Sequence, residues 1–204
     1  MLQPPAMGQR IPASEVRNVL ARRILPSGMD LVCDLSRCTG NRLYDSASDR
    51  AYLDMFTFYA ARPLAFDNPA LIDPDFVARL GRIAKHKPSN CDIYTPEYAD
   101  FVDTMARTVA KDWPHLFVIS GGALAVENAL KCAFDWKSRK NEAAGRSAKG
   151  HRVAHFRHAF HGRSGYTLSL TDSPDPRKTA RSPLFTDWPR LPTPICQHAL
   201  STII

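Results

Sequence analysis

The 204-residue chain has no apolar run near the roughly 20 residues needed to span a bilayer, and its first twelve residues lack the apolar middle of a signal peptide. Its five cysteines are odd in number and form no CxxC pair, which argues against a disulfide framework and a zinc ribbon. Hydrophobic residues make up 44% of the chain, enough to fill a core. We therefore expect a globular, cytoplasmic protein that does not bind a membrane.

Acidic residues are scarce in the last third of the chain. Residues 1–130 contain 14 basic and 15 acidic residues, whereas residues 131–204 contain 13 and 5. A nucleic-acid-binding surface would combine such charge with aromatic stacking partners or a known motif, and the sequence shows neither. The basic residues are better explained as a solvated helix end and loop, so we predict no nucleic-acid partner.

A cluster of four histidines raises the possibility of a metal site. The cluster runs through a predicted strand into a loop, so its members need not share a face. No Cys, Asp or Glu lies among them to complete a ligand set. We therefore predict no metal site. The four residues are His151, His155, His158 and His161.

The first 110 residues divide into helical and strand-like patterns. Apolar residues repeat at helical spacing over 16–24, and three short strand-like runs then predict a small antiparallel meander. Asp73-Pro74 and Thr95-Pro96 each place a good N-cap before a good first helical residue. They predict two more helices, the second over 95–110. The strand-like runs cover 31–35, 42–45 and 51–56.

From His115 the pattern changes to strand, helix, strand, over 115–120, about 122–140 and 152–156. Parallel strands need such a crossover, and ligands bind where the strands of an open α/β sheet end. The apolar stripe of the helix predicts its buried face, and Glu127 and Lys131 have the spacing of an i,i+4 ion pair. These residues predict one parallel βαβ unit. The predicted buried residues are Ala123, Val126, Leu130, Ala133 and Phe134.

Gly121-Gly122-Ala123 lies between the first strand and the helix of this unit. A helix start has unpaired N–H groups and a partial positive charge, and two glycines let a phosphate approach them closely. Phe160 and Arg163 follow the second strand and add an aromatic face and a guanidinium at the same sheet edge. Together these residues predict a site for a phosphorylated, ring-containing cofactor.

Two segments carry a family resemblance. Residues 119–131 resemble the phosphate-binding segment of class III pyridoxal-phosphate aminotransferases, and residues 160–163 resemble the segment that stacks on the cofactor ring. The likeness runs from about Asp30 to Arg190. It implies an α/β fold that is part of a fold-type I pyridoxal-phosphate transferase. An N-terminal helix and an antiparallel meander would precede part of the large α/β domain. Four further segments most resemble the branch acting on the ε-amino group of L-lysine. They cover 53–58, 87–90, 133–137 and 161–170.

The resemblance also implies roles for individual residues. Gly122 and Ala123, after the turn at Gly121, would hold the phosphate of pyridoxal 5′-phosphate, and Phe160 would stack on its ring. Arg163 would bind a carboxylate, which L-lysine and 2-oxoglutarate both carry. The complete enzyme would be a homodimer that moves the ε-amino group of L-lysine to 2-oxoglutarate.

The resemblance places the cofactor-bonding lysine of this family in the second half of the large domain. None of the eight lysines here has that sequence context, so the chain is expected to lack the catalytic lysine and to be inactive alone. The expected organisation is a small-domain segment over 1–72, the first part of the cofactor domain over 73–190 and an unstructured, divergent tail over 191–204, as in a truncated or frameshifted product.

The sequence is compatible with two alternatives. Another aminotransferase of the same class would act on ornithine, diaminobutyrate or 4-aminobutyrate. A non-catalytic fragment would only bind a phosphate ligand or pair with a partner subunit.

Overall fold

The computed structural model describes residues 11–26, 28–89, 92–147, 149–175 and 187–193. The chain forms two compact units, Met1–Phe101 and Val102–Ile204. Within the described ranges, no helix is both long and apolar enough to cross a membrane. The elements in chain order are α1 (Ala13–Ala21), β1 (Arg42–Asp45), β2 (Arg50–Leu53), α2 (Thr57–Ala60), α3 (Pro69–Ile72), α4 (Pro74–Ile83), α5 (Pro96–Arg107), α6 (Gly122–Ala143), β3 (His155–Phe156), α7 (Gly165–Leu170) and β4 (Arg190–Leu191).

The first unit is built on an antiparallel hairpin rather than on the predicted three-stranded meander. Strands β1 and β2 pair from Arg42 opposite Leu53 to Asp45 opposite Arg50. The predicted strand 31–35 contributes only an isolated bridge between Cys33 and Asp45. It does not become a ladder because the Asp45 carboxylate accepts the Val32 N–H, at 2.8 Å, in place of a backbone carbonyl.

Asp45 is the buried anchor of this hairpin, with 1% of its surface exposed. Its carboxylate accepts hydrogen bonds from the amides of Val32, Ala47 and Ser48 and from the Ser48 hydroxyl. The Ser48 hydroxyl bond and then the backbone bonds outweigh the cost of burial and lower the pKa of Asp45 to about 2. The ionised carboxylate therefore closes the turn after β1. The core beside it contains Cys38, Leu43 and Tyr44, packed against Leu31, Cys33 and Phe66.

The short element α2 is a left-handed turn. Its four residues have φ between 46° and 61°, although none of them is glycine. Such a conformation costs about 1–2 kcal/mol per residue. The Asp54 carboxylate accepts the N–H of Thr57 at 2.8 Å, and the ring of Phe56 contacts those of Phe58 and Tyr59. These contacts help to hold the turn.

The predicted helices of the first 110 residues are confirmed. Helix α1 covers most of the predicted 16–24 segment. Asp73 caps α4 by accepting the Phe76 N–H at 2.8 Å, and the Thr95 hydroxyl accepts the Tyr98 N–H at 3.2 Å at the start of α5. Helix α5 ends at Arg107, three residues before the predicted end at 110.

The second unit packs α6 against α7 around a small core. Helix α6 begins at Gly122, as predicted, and ends at Ala143 rather than near 140. Of the predicted buried stripe, Leu130 is buried, Val126 and Phe134 are half-buried against it, and Ala133 is exposed. Ala133 was therefore wrongly placed. The core is formed by Leu130, Leu170 and Trp188, with Val126, Phe134, Val153 and Tyr166 around it.

The predicted parallel pairing of 115–120 with 152–156 is wrong for the described part of the chain. Strand β3 pairs in parallel with β4 instead, His155 opposite Arg190 and Phe156 opposite Leu191. Residues 115–120 form no ladder with any described residue, and most of their apolar side chains are exposed, Phe117 at 73%. A strand exists only where a neighbour takes its hydrogen bonds, and hydrophobicity alone does not supply one.

The predicted unstructured tail, 191–204, is wrong at Leu191, which belongs to β4 and pairs with Phe156. Residues 194–204 lie outside the described residues. The division at residues 72 and 190 stays a prediction.

Candidate functional site

The start of α6 offers unpaired amide groups to open space. Gly121 precedes the helix with φ 85°, a conformation that favours glycine, and no side chain caps the helix. The Ala125 N–H is the first to bond back, to the Gly121 carbonyl at 3.1 Å. The amides of Gly122 and Ala123 therefore have no partner within the helix. Among the described residues, no atom lies within 4 Å of a Cβ built at Gly121 or Gly122, so both glycines border open space.

Gly162 brings a second segment to this helix start. A Cβ at Gly162 would lie 2.5 Å from the Cβ of Ala123 and 3.0 Å from Oγ1 of Thr167, and the φ of Gly162 is 122°. Both the space and the backbone conformation thus require glycine. Because Gly162 lies between Phe160 and Arg163, its contact with Ala123 brings that segment against the first turn of α6.

Glu127 holds the same segment one turn further along α6. Its carboxylate accepts the Ser164 hydroxyl at 2.7 Å, the Tyr166 N–H at 3.0 Å and the Thr167 N–H at 3.3 Å. The last two are amides in the first turn of α7, a position that favours negative charge. One carboxylate therefore joins α6 to the start of α7. We call the group of Glu127, Ser164, Tyr166 and Thr167 the Glu127 cluster.

The pKa of Glu127 reflects these contacts. Desolvation by burial raises the pKa, but the hydrogen bonds from Ser164, Tyr166 and Thr167, with the nearby charge of Lys131, outweigh it and bring the pKa below its ordinary value. The predicted direct pair with Lys131 is not among the ion pairs of the described residues. Lys131 acts on the carboxylate through its charge, while the direct hydrogen bonds go to α7 and its cap.

The loop before α7 is fixed by further hydrogen bonds. Ser164 and Thr167 form a capping box, in which the Ser164 N–H donates to Oγ1 of Thr167 at 3.0 Å. The Thr171 hydroxyl donates to the Gly162 carbonyl at 2.7 Å, and the His161 N–H donates to that hydroxyl at 3.1 Å. The loop that carries Arg163 is thus held from both sides.

Phe160 and Arg163 remain accessible on this fixed loop. Phe160 is 58% exposed, and Arg163 is also exposed. Across the ranges that the structure describes, the Arg163 guanidinium makes no hydrogen bond or ion pair. An aromatic face and a free guanidinium therefore stand on a loop that contacts the uncapped start of α6.

The histidine cluster does not converge. The described residues contain no group of three His, Cys, Asp or Glu side chains that could hold a metal. His155 is buried in β3, where its Nδ1 lies 3.4 Å from the Val153 carbonyl and its Nε2 has no hydrogen-bond partner among the described residues. His161 acts in this loop through its backbone N–H.

The comparison with known proteins decides the family. The sequence profile of the class-III aminotransferases matches residues 25–202. The chain belongs to this family. It is 50% identical over 209 residues to the L-lysine-epsilon aminotransferase of Amycolatopsis lactamdurans, and 51% identical over 196 residues to that of Mycobacterium tuberculosis H37Rv. The alignments cover 99% and 95% of this chain but 45% and 43% of those relatives, so the chain spans under half their length.

A solved structure shows the same likeness in three dimensions. The lysine aminotransferase of M. tuberculosis, in its internal aldimine form, matches with a TM-score of 0.81 and 48% identity, over 94% of this chain and 46% of that one. The predicted fold class is therefore confirmed: the chain is α/β and has part of the fold-type I architecture, with a small antiparallel sheet in its first unit.

Proposed function

We propose that this chain provides the phosphate and ring contacts of a pyridoxal 5′-phosphate site in an L-lysine 6-aminotransferase, an enzyme that moves the ε-amino group of L-lysine to 2-oxoglutarate. One observation carries the proposal: Gly162 packs against Ala123, which brings the loop of Phe160 and Arg163 to the uncapped start of α6. The identity of about half to lysine aminotransferases supports the choice of substrate.

The residues at the helix start fit a phosphate group. In the proposed site, the amides of Gly122 and Ala123 donate to phosphate oxygens, and Gly121 provides the turn that exposes them. The missing Cβ atoms at Gly121 and Gly122 leave space for the phosphate to approach the backbone. The partial positive charge of the helix start adds to this attraction.

Phe160 and Arg163 fit the remaining chemistry. The exposed Phe160 face stacks on the flat cofactor ring and excludes water from the side that it covers. Pyridoxal phosphate, when bound, supplies the electron sink for the reaction. Arg163 offers a planar fork of donors, which matches the carboxylate that L-lysine and 2-oxoglutarate share. One arginine then serves both half-reactions.

The lysine that bonds the cofactor is, in this proposal, none of the eight lysines of this chain. On α6 the nearest is Lys131, nine residues beyond Gly122. At about 1.5 Å per residue it lies roughly 13 Å along the helix from the phosphate amides. We therefore expect cofactor contacts from this chain, no transamination by it alone, and a homodimer for the complete enzyme.

Binding of stable cofactor–substrate adducts tests this function without requiring turnover. Borohydride-reduced adducts of pyridoxal phosphate with L-lysine (through its ε-nitrogen), L-ornithine, L-2,4-diaminobutyrate and 4-aminobutyrate are titrated into the 204-residue chain, with inorganic phosphate as reference. We expect the L-lysine adduct to bind most tightly. Adducts that all bind no more tightly than inorganic phosphate would refute the cofactor site. Tighter binding of another amine adduct than of the L-lysine adduct would refute the substrate assignment.

A further inference from the structure

Two thiols lie side by side in the first unit. The Sγ atoms of Cys33 and Cys38 are 3.7 Å apart. A disulfide needs a separation of about 2.05 Å, so the sulfurs would have to approach by roughly 1.7 Å. Both are free thiols, as is Cys132 in the second unit.

The neighbouring hydrogen bonds hold both cysteines in this arrangement. The Cys38 thiol donates to the Asp34 carbonyl at 3.1 Å and accepts the Tyr44 N–H at 3.2 Å. The segment around Cys33 is fixed to β1, because the Asp34 N–H donates to the Tyr44 carbonyl at 3.0 Å and Cys33 bridges to Asp45. The two sulfurs are therefore held together by the fold around them and not only by their closeness in sequence.

The two thiols differ in their access to a reagent. Cys33 is half-buried and lines an open groove of about 700 Å³ beside α1, together with Val16 and Leu35. Cys38 is 8% exposed and belongs to the core under the hairpin. A small molecule in the groove can reach Cys33, whereas Cys38 is placed to react with Cys33.

We propose that Cys33 and Cys38 form a reversible disulfide by exchange with a low-molecular-weight disulfide such as oxidised glutathione. The Cys33 thiolate attacks one sulfur of the reagent, and the first glutathione thiolate leaves. The Cys38 thiol then loses its proton and attacks Sγ of Cys33, and the second glutathione leaves. Two protein thiols are oxidised, one reagent disulfide is reduced to two thiols, and no other co-reactant is needed.

The surroundings of Cys33 set the pH dependence of this exchange. Burial, the adjacent Cys38 thiol and the charges of Asp34 and Asp54 raise the pKa of Cys33 to about 11. Only the thiolate attacks, so exchange is slow at neutral pH and its rate rises about tenfold per pH unit from 7 to 10. A rate that levels off near pH 9, as for a thiol of ordinary pKa, would overturn Cys33 as the attacking group.

Tryptic mapping tests the disulfide directly, because cleavage after Arg37 separates the two cysteines. Cys33 falls in peptide 24–37 and Cys38 in peptide 38–42. The full chain, with Cys91, Cys132 and Cys196 replaced by Ser, is equilibrated with a glutathione redox buffer and trapped with acid. We expect the two peptides to appear joined, two hydrogen atoms lighter than their sum, and to separate on reduction. The matched control adds Cys33→Ser and should give no joined peptide.

The folded and unfolded chains can be compared to test whether the fold holds the two thiols together or whether their closeness in sequence is enough. We expect the effective concentration of the two thiols, measured against the same buffer, to be at least tenfold higher in the folded chain than in concentrated urea. Glutathione bound to either peptide without joining them, or an effective concentration no higher than in urea, would overturn the proposal.

Discussion

Asp45 in the first unit and Glu127 in the second unit make the same kind of contact. Each carboxylate accepts hydrogen bonds from a serine hydroxyl and from backbone amides. They differ in the length of chain that they connect. The partners of Asp45 lie within 13 residues, whereas those of Glu127 lie 37 to 40 residues away. Asp45 therefore completes a local turn, and Glu127 joins two separate segments of the proposed cofactor site.

The difference also appears in burial. Asp45 is almost completely buried, whereas Glu127 is only half-buried. A carboxylate inside a turn contributes mainly to stability. A carboxylate between two segments fixes their relative position, so its loss should change ligand binding more than global stability. The following variants test this contrast, from the largest expected effect to the smallest.

Asp45→Ala should have the largest effect on stability. It leaves the amides of Val32, Ala47 and Ser48 without their buried acceptor, and we expect a loss of about 4 kcal/mol in the free energy of unfolding of the first unit. Urea denaturation measures this loss. Asp30→Ala is the control, since that carboxylate is 87% exposed and its pair with Arg17 is a surface ion pair. Equal effects of the two substitutions would contradict a structural role for Asp45.

Gly162→Ala should have the second-largest effect on stability. The new Cβ would lie 2.5 Å from the Cβ of Ala123, at a φ that disfavours any side chain, and we expect a cost of about 3 kcal/mol in the second unit. Gly145→Ala is the matched control, because Gly145 also has positive φ but nothing within 4 Å of its Cβ position. Urea midpoints of both variants give the comparison. If the two glycines proved equally tolerant, the close approach to α6 would be wrong.

Glu127→Ala should cost less, about 2 kcal/mol, because three partly accessible hydrogen bonds are lost. The loss should be local. Amide hydrogen exchange at Tyr166 and Thr167 should accelerate by roughly 30-fold, while the amide of Ala47 beside Asp45 stays unchanged. The control on the same helix is Glu142→Ala, an exposed residue. Unchanged exchange at Tyr166 would argue against the Glu127 cluster.

Acid should destabilise the chain gradually, because protonation weakens the hydrogen bonds of both carboxylates without removing their side chains. Both carboxyl groups have lowered pKa values in the folded chain, so each contributes stability above its unfolded value and loses it as the pH falls. The contribution of Glu127 should begin to fall below its ordinary pKa of 4.5, and that of Asp45 between its ordinary 3.8 and about 2. The stability that Asp45 loses over this range is about 2 kcal/mol in the free energy of unfolding. Carbon-13 NMR titration of the two carboxyl groups checks that both pKa values are lowered. An Asp45 pKa near 3.8 would contradict the role of its carboxylate as the buried acceptor of this turn.

The features that sequence reasoning predicts here are local. Asp73 and Thr95 mark helix starts because an N-cap needs only the next few residues. The start of α6 at Gly122 follows for the same reason, from a glycine turn next to a helical pattern. The resemblance to the class III family then supplied the fold, which periodicity alone did not.

The features that the sequence did not reveal depend on distant partners. Residues 115–120 have the composition of a strand, but a strand also needs a neighbour. Glu127 resembled half of an i,i+4 pair because its real partners lie 37 to 40 residues along the chain. Two signals were present: Glu127 shares the apolar face of Val126 and Leu130, and Ser164 and Thr167 have the spacing of a capping box.

We propose that Glu127 positions the loop of Phe160 and Arg163 against the start of α6, where the proposed site binds the cofactor phosphate. The most direct measurement is calorimetric titration of the reduced pyridoxal phosphate–L-lysine adduct and of inorganic phosphate into the chain, its Glu127→Ala variant and its Glu142→Ala control. We predict that the chain and the control bind the adduct at least tenfold more tightly than phosphate. The Glu127→Ala variant should lose that preference while it binds phosphate as before. A Glu127→Ala variant that retains the full preference would contradict this positioning role of Glu127.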